Sequence, residues 1–307
     1  MADSVKIKIT GDDKEFNNTL SGIGQKAGSV FRGMMASQIV TKGISLLTSG
    51  LKSAINTGMQ FEAAMSQVAA ISGATGQELE LLTETAKHYG ETTMFSASQA
   101  AEALNYMALA GWDAQQSVDA LGGVLDLAAA SGMDLGRASD AVTDYLSAFS
   151  MEASQAGYMA DLMAYAQSKS NTTASMLADA YGNCASSMHA AGQDIETTTA
   201  MLMALANQGI KGSEAGTQMA AVMRDLTQKM DHGQIMIGKT AVKVADAQGN
   251  FRDLNDIIAD VGKATEGMGT AEQSAAIMTT FTARSVKAIQ TILNEGVANV
   301  NAYEDAL

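Results

Sequence analysis

One stretch of the sequence matches a phosphate-binding motif letter by letter. Residues Gly233 to Thr240 read Gly-Gln-Ile-Met-Ile-Gly-Lys-Thr, which fits the G-x-x-x-x-G-K-[ST] spacing of a phosphate loop. Such a loop follows a strand and opens a helix, so that backbone amides and the helix dipole converge on phosphate. Here a predicted helix precedes the motif, a strand-like stretch follows it, and bulky Ile235, Met236 and Ile237 fill its centre. The context therefore argues against nucleotide binding.

Residues that bind metals or act as nucleophiles are few and widely spaced. Cys184 and His189 are five positions apart on one predicted helix, which is not the ligand spacing of a zinc site. Asp246 and Asp253 flank a predicted turn, but the alternating acids and terminal Glu of a calcium loop are missing. No serine stands in G-x-S-x-G, and no H-E-x-x-H occurs. The sequence thus predicts no catalytic residue, no metal site and no cofactor, and a protein that is not an enzyme.

The overall composition favours helices and disfavours nucleic-acid binding. The 307 residues include no Pro and 21 Met, and aromatic residues make up only 5%. Pro is the residue that breaks helices most strongly, so its absence is typical of an all-α protein. Duplex binding depends on Lys and Arg that displace counterions from phosphate, whereas this chain carries a formal net charge of −14. We therefore predict an all-α protein that does not bind nucleic acid stably.

Apolar and small residues recur at alternating steps of three and four between Val30 and Val68. A stripe sustained over so many heptads is typical of a coiled-coil seam. We predict a short β start over residues 1–16, one long heptad helix over residues 17–74, and self-association as a homo-oligomer, a trimer or a hexamer. The alternative is an amphipathic helix packed on its own chain. The predicted seam consists of Val30, Val40, Ile44, Leu47, Leu51, Ala54, Phe61, Met65 and Val68.

Residues 75–232 predict a helical core of about seven or eight shorter helices. Ser96 with Gln99, Thr173 and Asp194 are predicted to cap helix starts, because their side chains can accept hydrogen bonds from unpaired amides. Glycines are predicted to end helices where the chain turns at positive φ. The predicted stops are Gly90, Gly111, Gly132, Gly192 and Gly209.

Two segments follow the helical core. Residues 233–255 predict a β-hairpin insert, in which Val242 to Val244 pairs with Phe251 to Leu254 across a turn at Gln248 to Asn250. Residues 256–307 predict C-terminal helices, one of them from Ala271 to Leu293, and we expect them to continue in a longer parent protein. The predicted fold is all-α: a long coiled-coil-like helix and an array of helical hairpins, with a short N-terminal strand and one small hairpin.

Several runs of sequence, in order, resemble the core of phage tail tape measure proteins of the minor-tail family. Among them are Ala110-Gly111-Trp112, the run from Leu125 to Gly132, and the most specific one, from Gly209 to Thr217. Asp246 to Phe251 resembles the short hairpin that follows that core, and Val5 to Asp13 resembles the usual start of the family. The resemblance covers nearly the whole chain.

This resemblance implies a structural scaffold in the lumen of the tail tube that sets tail length and supports tail assembly and genome delivery. The implied partners are tail tube protein, tail assembly chaperones, and distal tail or baseplate proteins. The implied location is the virion, with the host cytoplasm during assembly. A contact with chaperone or tube is expected on the most specific run; the alternative is a helix stop followed by a tightly packed helix start. The candidate contact residues are Gly209, Lys211, Gly212, Glu214, Gly216 and Thr217.

Two functions of other classes stay open at the level of sequence. A membrane-active protein that forms a channel in the host membrane would insert through Ile23 to Phe61, and membrane contact is expected only at infection. A nucleotide-driven machine would use Gly233 to Thr240. Leakage of liposomes treated with a peptide from the first segment, and an ATP-binding titration for the second, distinguish these functions from a scaffold.

Overall fold

The computed structural model describes residues 56–307. Gln60–Leu307 forms one compact unit. Residues 56–72 are helical. The predicted β start, most of the predicted long helix and the seam residues before Phe61 lie outside the described residues.

The described part of the chain is built from α-helices with one small sheet, so the all-α prediction is confirmed. A short 3-10 turn, Ala153–Gln155, precedes α5. The helices and strands are α1 (Gln77–Thr92), α2 (Ala97–Leu109), α3 (Ala114–Ser131), α4 (Leu135–Ala148), α5 (Ala156–Lys169), α6 (Ala174–Ala190), α7 (Ile195–Asn207), α8 (Gly212–Lys229), β1 (Gln234–Ile237), β2 (Thr240–Lys243), α9 (Leu254–Ala264), α10 (Thr270–Ile277), α11 (Ala283–Glu295) and α12 (Val297–Glu304).

The predicted helix caps are present. Ser96 begins α2 with a capping box, in which its hydroxyl accepts from the Gln99 amide while the Gln99 side chain accepts from the Ser96 amide. Thr173 caps α6 at 3.2 Å from the Met176 amide, and Asp194 caps α7 at 2.7 Å from the Thr197 amide. Each cap satisfies an amide that has no partner inside its helix. Local sequence therefore sets these helix starts.

Four of the five predicted glycine stops are correct, and one is wrong. Gly111, Gly132, Gly192 and Gly209 all follow helices and have positive φ. Gly90 lies inside α1 instead, where a Cβ atom would stand 2.5 Å from the Ala97 amide nitrogen. This glycine allows α1 to approach the start of α2, and a sequence pattern does not distinguish close approach from a helix stop.

Helix α7 lies at the centre of the described fold. All residues from Thr197 to Ala206 are buried, and α7 packs against α5, α6, α8, α9, α11 and α12. A helix that is covered on every side must be apolar or small on every side, and this stretch consists of Thr, Ala, Met and Leu. The elements before and after the hairpin therefore share one core around α7.

The hairpin forms one connection earlier than predicted. β1 and β2 are antiparallel, with Ile237 opposite Thr240, so the connection is Gly238-Lys239. The predicted pairing of Val242–Val244 with Phe251–Leu254 does not form a ladder: an isolated bridge joins Ala245 and Phe251, and the Arg252 amide donates to the Val244 carbonyl at 2.9 Å. Ile235 and Ile237 supply the buried face of β1, while Leu254 begins α9 behind the cap of Asp253.

The predicted helix from Ala271 to Leu293 is two helices. α10 ends at Ile277 and α11 begins at Ala283. In the connection, the hydroxyls of Thr279 and Thr280 donate to the Met236 carbonyl at 2.7 and 2.5 Å. These bonds hold the connection against β1, and they depend on a residue more than 40 positions away, which local sequence cannot show.

Candidate interaction surface on α8 and α11

The run from Gly209 to Thr217 forms the connection from α7 to α8 and the first turn of α8. Gly209 has a φ of 87°, and the next residue, Ile210, is buried and donates its amide to the Leu205 carbonyl at 2.9 Å. Lys211 stands at the N-cap of α8, where its side chain makes no capping bond. Gly212 then begins the helix with a φ of 58°.

The middle of this run packs against α6. A Cβ atom at position 216 would stand 2.0 Å from the Ala180 carbonyl oxygen, so the two backbones touch and only glycine fits. The neighbouring Ala215 is also buried. For Gly209 and Gly216 the structure thus shows a helix stop and a tightly packed helix start, which is the alternative to a contact surface.

The outward side of the run carries charge. The exposed Glu214 forms an ion pair with Lys287 of α11, with 2.7 Å between Nζ and Oε1. The hydrogen bond from Lys287 holds the pKa of Glu214 below its usual value. Gln218 also donates to Oε1 of Glu214 at 3.0 Å. These contacts tie the start of α8 to α11.

A shallow cleft lies between these two helices. Ser213, Glu214, Thr217, Gln218 and Arg284 line about 350 Å³. Arg284 is the one arginine among residues 56–307 without an ion pair, since the other three pair with aspartates. Gln218 is only 3% exposed, and its Oε1 has no hydrogen-bond partner in the described structure. A guanidinium without an ion pair suits a partner that offers a carboxylate.

Two of the six candidate contact residues line this cleft. Glu214 and Thr217 are candidate contact residues and line it. Gln218 and Arg284 were missed, because Arg284 lies 67 positions beyond Thr217 and no short motif links them. Lys211 is half-buried at the start of α8 and Gly212 approaches Asp179, so neither lines the cleft.

Three predicted seam residues are described, and all three contact the chain's own core. Met65 and Val68 are buried within it, and Phe61 packs against it. At these positions the helix packs on its own chain. Self-association through the other six seam residues stays a prediction, because they lie outside the described residues.

The residues considered above for phosphate binding, nucleophilic catalysis or metal binding have structural positions in the fold. Residues 233–240 contain β1 and the hairpin connection, and β2 begins at Thr240 where a phosphate loop would open a helix. Cys184 is buried, which raises the pKa of its thiol to about 12, while His189 is exposed and lies 3.1 Å from the Ser150 hydroxyl. Within residues 56–307, no group of three or more His, Cys, Asp or Glu side chains is placed to hold a metal ion.

Residues 83–281 match the family model described as phage-related minor tail protein. The chain belongs to this family. The match includes the run from Gly209 to Thr217 and ends just before Arg284. No solved structure matches the chain.

Curated relatives of this minor tail protein carry the name predicted from its sequence runs. The chain is 34% identical over 269 residues to the tape measure protein of Pneumococcus phage Dp-1, covering 87% of this chain and 23% of that protein. It is 27% identical over 263 residues to the probable tape measure protein of Escherichia phage P2, covering 83% of this chain and 32% of that protein. The resemblance to tape measure proteins is confirmed, and the chain spans about a quarter to a third of these relatives.

Proposed function

We propose that this minor tail protein is a tape measure scaffold that lies in the lumen of the tail tube, sets tail length, and supports assembly and genome delivery. The observation that carries the proposal is the 34% identity to a named tape measure protein over 87% of the chain. A non-enzymatic role agrees with the burial of Cys184 and with the hairpin at the phosphate-loop motif. The net charge of −14 repels DNA, which favours passage of a genome over its retention.

Tail length tests the scaffold directly. Deletion of residues 31–51 from the gene removes three heptads and keeps the register of the predicted seam. An extended helical ruler predicts tails shorter by about 32 Å, since each helical residue rises about 1.5 Å. Duplication of the same residues predicts tails longer by the same amount. Tails of normal length and assembly in both variants, seen by electron microscopy, would mean that this segment docks or caps and does not measure.

We further propose that the cleft between α8 and α11 contacts another tail component, either tail tube protein or an assembly chaperone. Arg284 and Lys287 give this part of an acidic chain two cations against the single carboxylate of Glu214. Since Glu214 and Lys287 already pair, Arg284 is the charge left for a partner. A carboxylate can accept two parallel hydrogen bonds from a guanidinium, which fixes orientation as well as affinity.

Co-purification of the tagged chain with tail tube protein, and separately with each chaperone, tests this contact. Arg284→Glu is expected to lower the captured amount of one partner by at least about tenfold, because reversing the charge turns attraction into repulsion. Lys239→Glu makes the same charge change at the exposed hairpin connection and is the control. Equal capture by both variants would remove the cleft from the proposal.

Self-association and membrane insertion concern other segments. Sedimentation of the chain with Val40 and Leu47 both changed to Asp tests the seam, since a trimer or hexamer held there would dissociate. The membrane alternative rests on Ile23 to Phe61, most of which lies outside the described residues. Of the helices in residues 56–307, none is long and apolar enough to cross a membrane.

A further inference from the structure

Three helices meet at one buried hydroxyl. Oγ1 of Thr197, on α7, lies 2.9 Å from Oδ2 of Asp253, which caps α9. The same oxygen lies 2.9 Å from Oε1 of Glu304, at the end of α12. Thr197 is fully buried. Two carboxylates of different elements therefore share one threonine.

If both carboxylates are ionised, the junction has too few hydrogens for both contacts of Thr197 to be hydrogen bonds. A threonine hydroxyl has one hydrogen, so it can donate to Asp253 or to Glu304 but not to both. Asp253 accepts with its other oxygen from the amides of Asn255 and Asp256, at 2.8 and 3.1 Å, and the Thr197 hydrogen completes these contacts when it points to Asp253. Oε1 of Glu304 then faces a threonine lone pair, and a proton on Glu304 turns that contact into a hydrogen bond.

The charges around the junction also favour a proton on Glu304. Asp194, which caps α7, adds a third carboxylate, and none of Asp194, Asp253 and Glu304 has an ion pair among residues 56–307. Burial raises the pKa of Glu304, and the charges of Asp253 and Asp194 raise it further, against the hydrogen bonds from Thr197 and Asn255. Like charges gathered without a cation favour the neutral acid.

We propose that a proton on Glu304 holds α12 on the core, through a chain in which Glu304 donates to Thr197 and Thr197 donates to Asp253. Loss of that proton adds a negative charge beside the carboxylates of Asp253 and Asp194, with no ion pair to offset it among residues 56–307, and weakens the docking of α12. Gly296, with a φ of 94°, separates α12 from α11, so α12 can leave while α11 stays packed. The structure thus contains a proton-controlled latch on its last described helix.

Other titratable groups near α12 act in a different pH range or lie outside the chain of hydrogen bonds. Glu295, at the end of α11, is partly buried, but donors from Gln208, Asn207 and Tyr303 hold its pKa below the usual value. Glu196 of α7 bonds to Tyr158, Asp256 of α9 lies 3.9 Å from Arg252, and Asp305 is exposed. Between the usual Glu pKa and the raised pKa of Glu304, the latch depends on Glu304.

The direction of the pH dependence follows from the coupling between proton binding by Glu304 and docking of α12. A carboxyl with a raised pKa in the docked state binds its proton more tightly there, so docking is strongest below the usual Glu value of 4.5. The docking equilibrium weakens as pH rises through the raised pKa, by up to about tenfold per pH unit for one proton. The exchange rates of α12 amides, each divided by the intrinsic exchange rate at that pH, measure this equilibrium as pH rises from below the usual Glu value of 4.5.

Two variants and one addition test the latch. Glu304→Gln keeps the shape and cannot ionise, so the corrected exchange of α12 should become independent of pH. Asp305→Asn, on the exposed neighbour, should keep the wild-type dependence. Corrected exchange that does not change with pH in the wild type, or a dependence that persists in Glu304→Gln, would overturn the proposal. Slower exchange with calcium chloride than with EDTA at neutral pH would also overturn it, since the oxygens would then hold a cation instead of a proton.

Discussion

At the scale of single residues, the most demanding position is Gly216. Helix α8 crosses α6 there, and the missing side chain leaves 2.0 Å between a hypothetical Cβ and the Ala180 carbonyl oxygen. The contacting atom belongs to the backbone of α6 and cannot rotate away. The local sequence marks this glycine only as part of a specific run, and the reason for it depends on a residue 36 positions earlier.

Gly216→Ala is expected to lower the free energy of unfolding by about 1–3 kcal/mol, because the added methyl group forces the two helices apart. Gly182→Ala is the matched control on α6, since its nearest atom, the Tyr145 hydroxyl oxygen, lies 4.0 Å from the new Cβ. That change should raise stability by about 0.5–1 kcal/mol, the usual gain for Ala over Gly within a helix. Denaturant titration measures both, and equal effects would contradict the close crossing.

At the scale of elements, helix starts that are capped by neighbouring residues were predictable from the sequence. Helix starts that are capped by distant residues were not. Ser96, Thr173 and Asp194 cap helices by accepting from the amide three residues ahead. Helix α11 differs, because its cap comes from α8: Asp225 accepts from the Thr282 amide at 2.8 Å and from the Ser285 hydroxyl at 2.6 Å. The sequence therefore predicted an unbroken helix across this start.

Asp225→Asn is expected to destabilise the chain by about 2 kcal/mol at neutral pH, since the buried charged acceptor serves several donors. Burial works to raise the pKa of Asp225, but hydrogen bonds from Ser285, Thr282 and Arg224 lower it below its usual 3.8. A depressed pKa contributes stability above the usual value and loses it as pH falls through the folded-state pKa. The difference between wild type and variant should therefore shrink below about pH 3.8 in denaturant titrations.

Asp161→Asn provides the control for Asp225→Asn. It removes the same charge from an exposed position on α5, and surface changes of this kind usually alter stability by less than about 0.5 kcal/mol. A loss in Asp161→Asn as large as in Asp225→Asn would assign the effect to net charge and not to the cap of α11.

At the scale of the whole molecule, the helices before and after the predicted domain boundary at residue 233 share one core. Gln193, between α6 and α7, is 3% exposed, accepts from the Leu254 amide at 2.7 Å and donates to the Arg252 carbonyl at 3.1 Å. This one amide connects the helical core to the segment after the hairpin. Composition and periodicity predicted the helices on both sides, but they carry no information on which distant helices share a core.

A shared core predicts that the described part of the chain unfolds in one transition. Trp112, the only tryptophan, reports on the connection between α2 and α3, and hydrogen exchange of α11 peptides reports on the other side of Gln193. The two denaturant midpoints should coincide, and Gln193→Met should lower both together, by about 1–3 kcal/mol, because it leaves the Leu254 amide without its acceptor. Gln115→Met, which removes an exposed bond to Asp119 within α3, should change little. Separate midpoints, with only α11 affected by Gln193→Met, would instead support independent units that meet near residue 233.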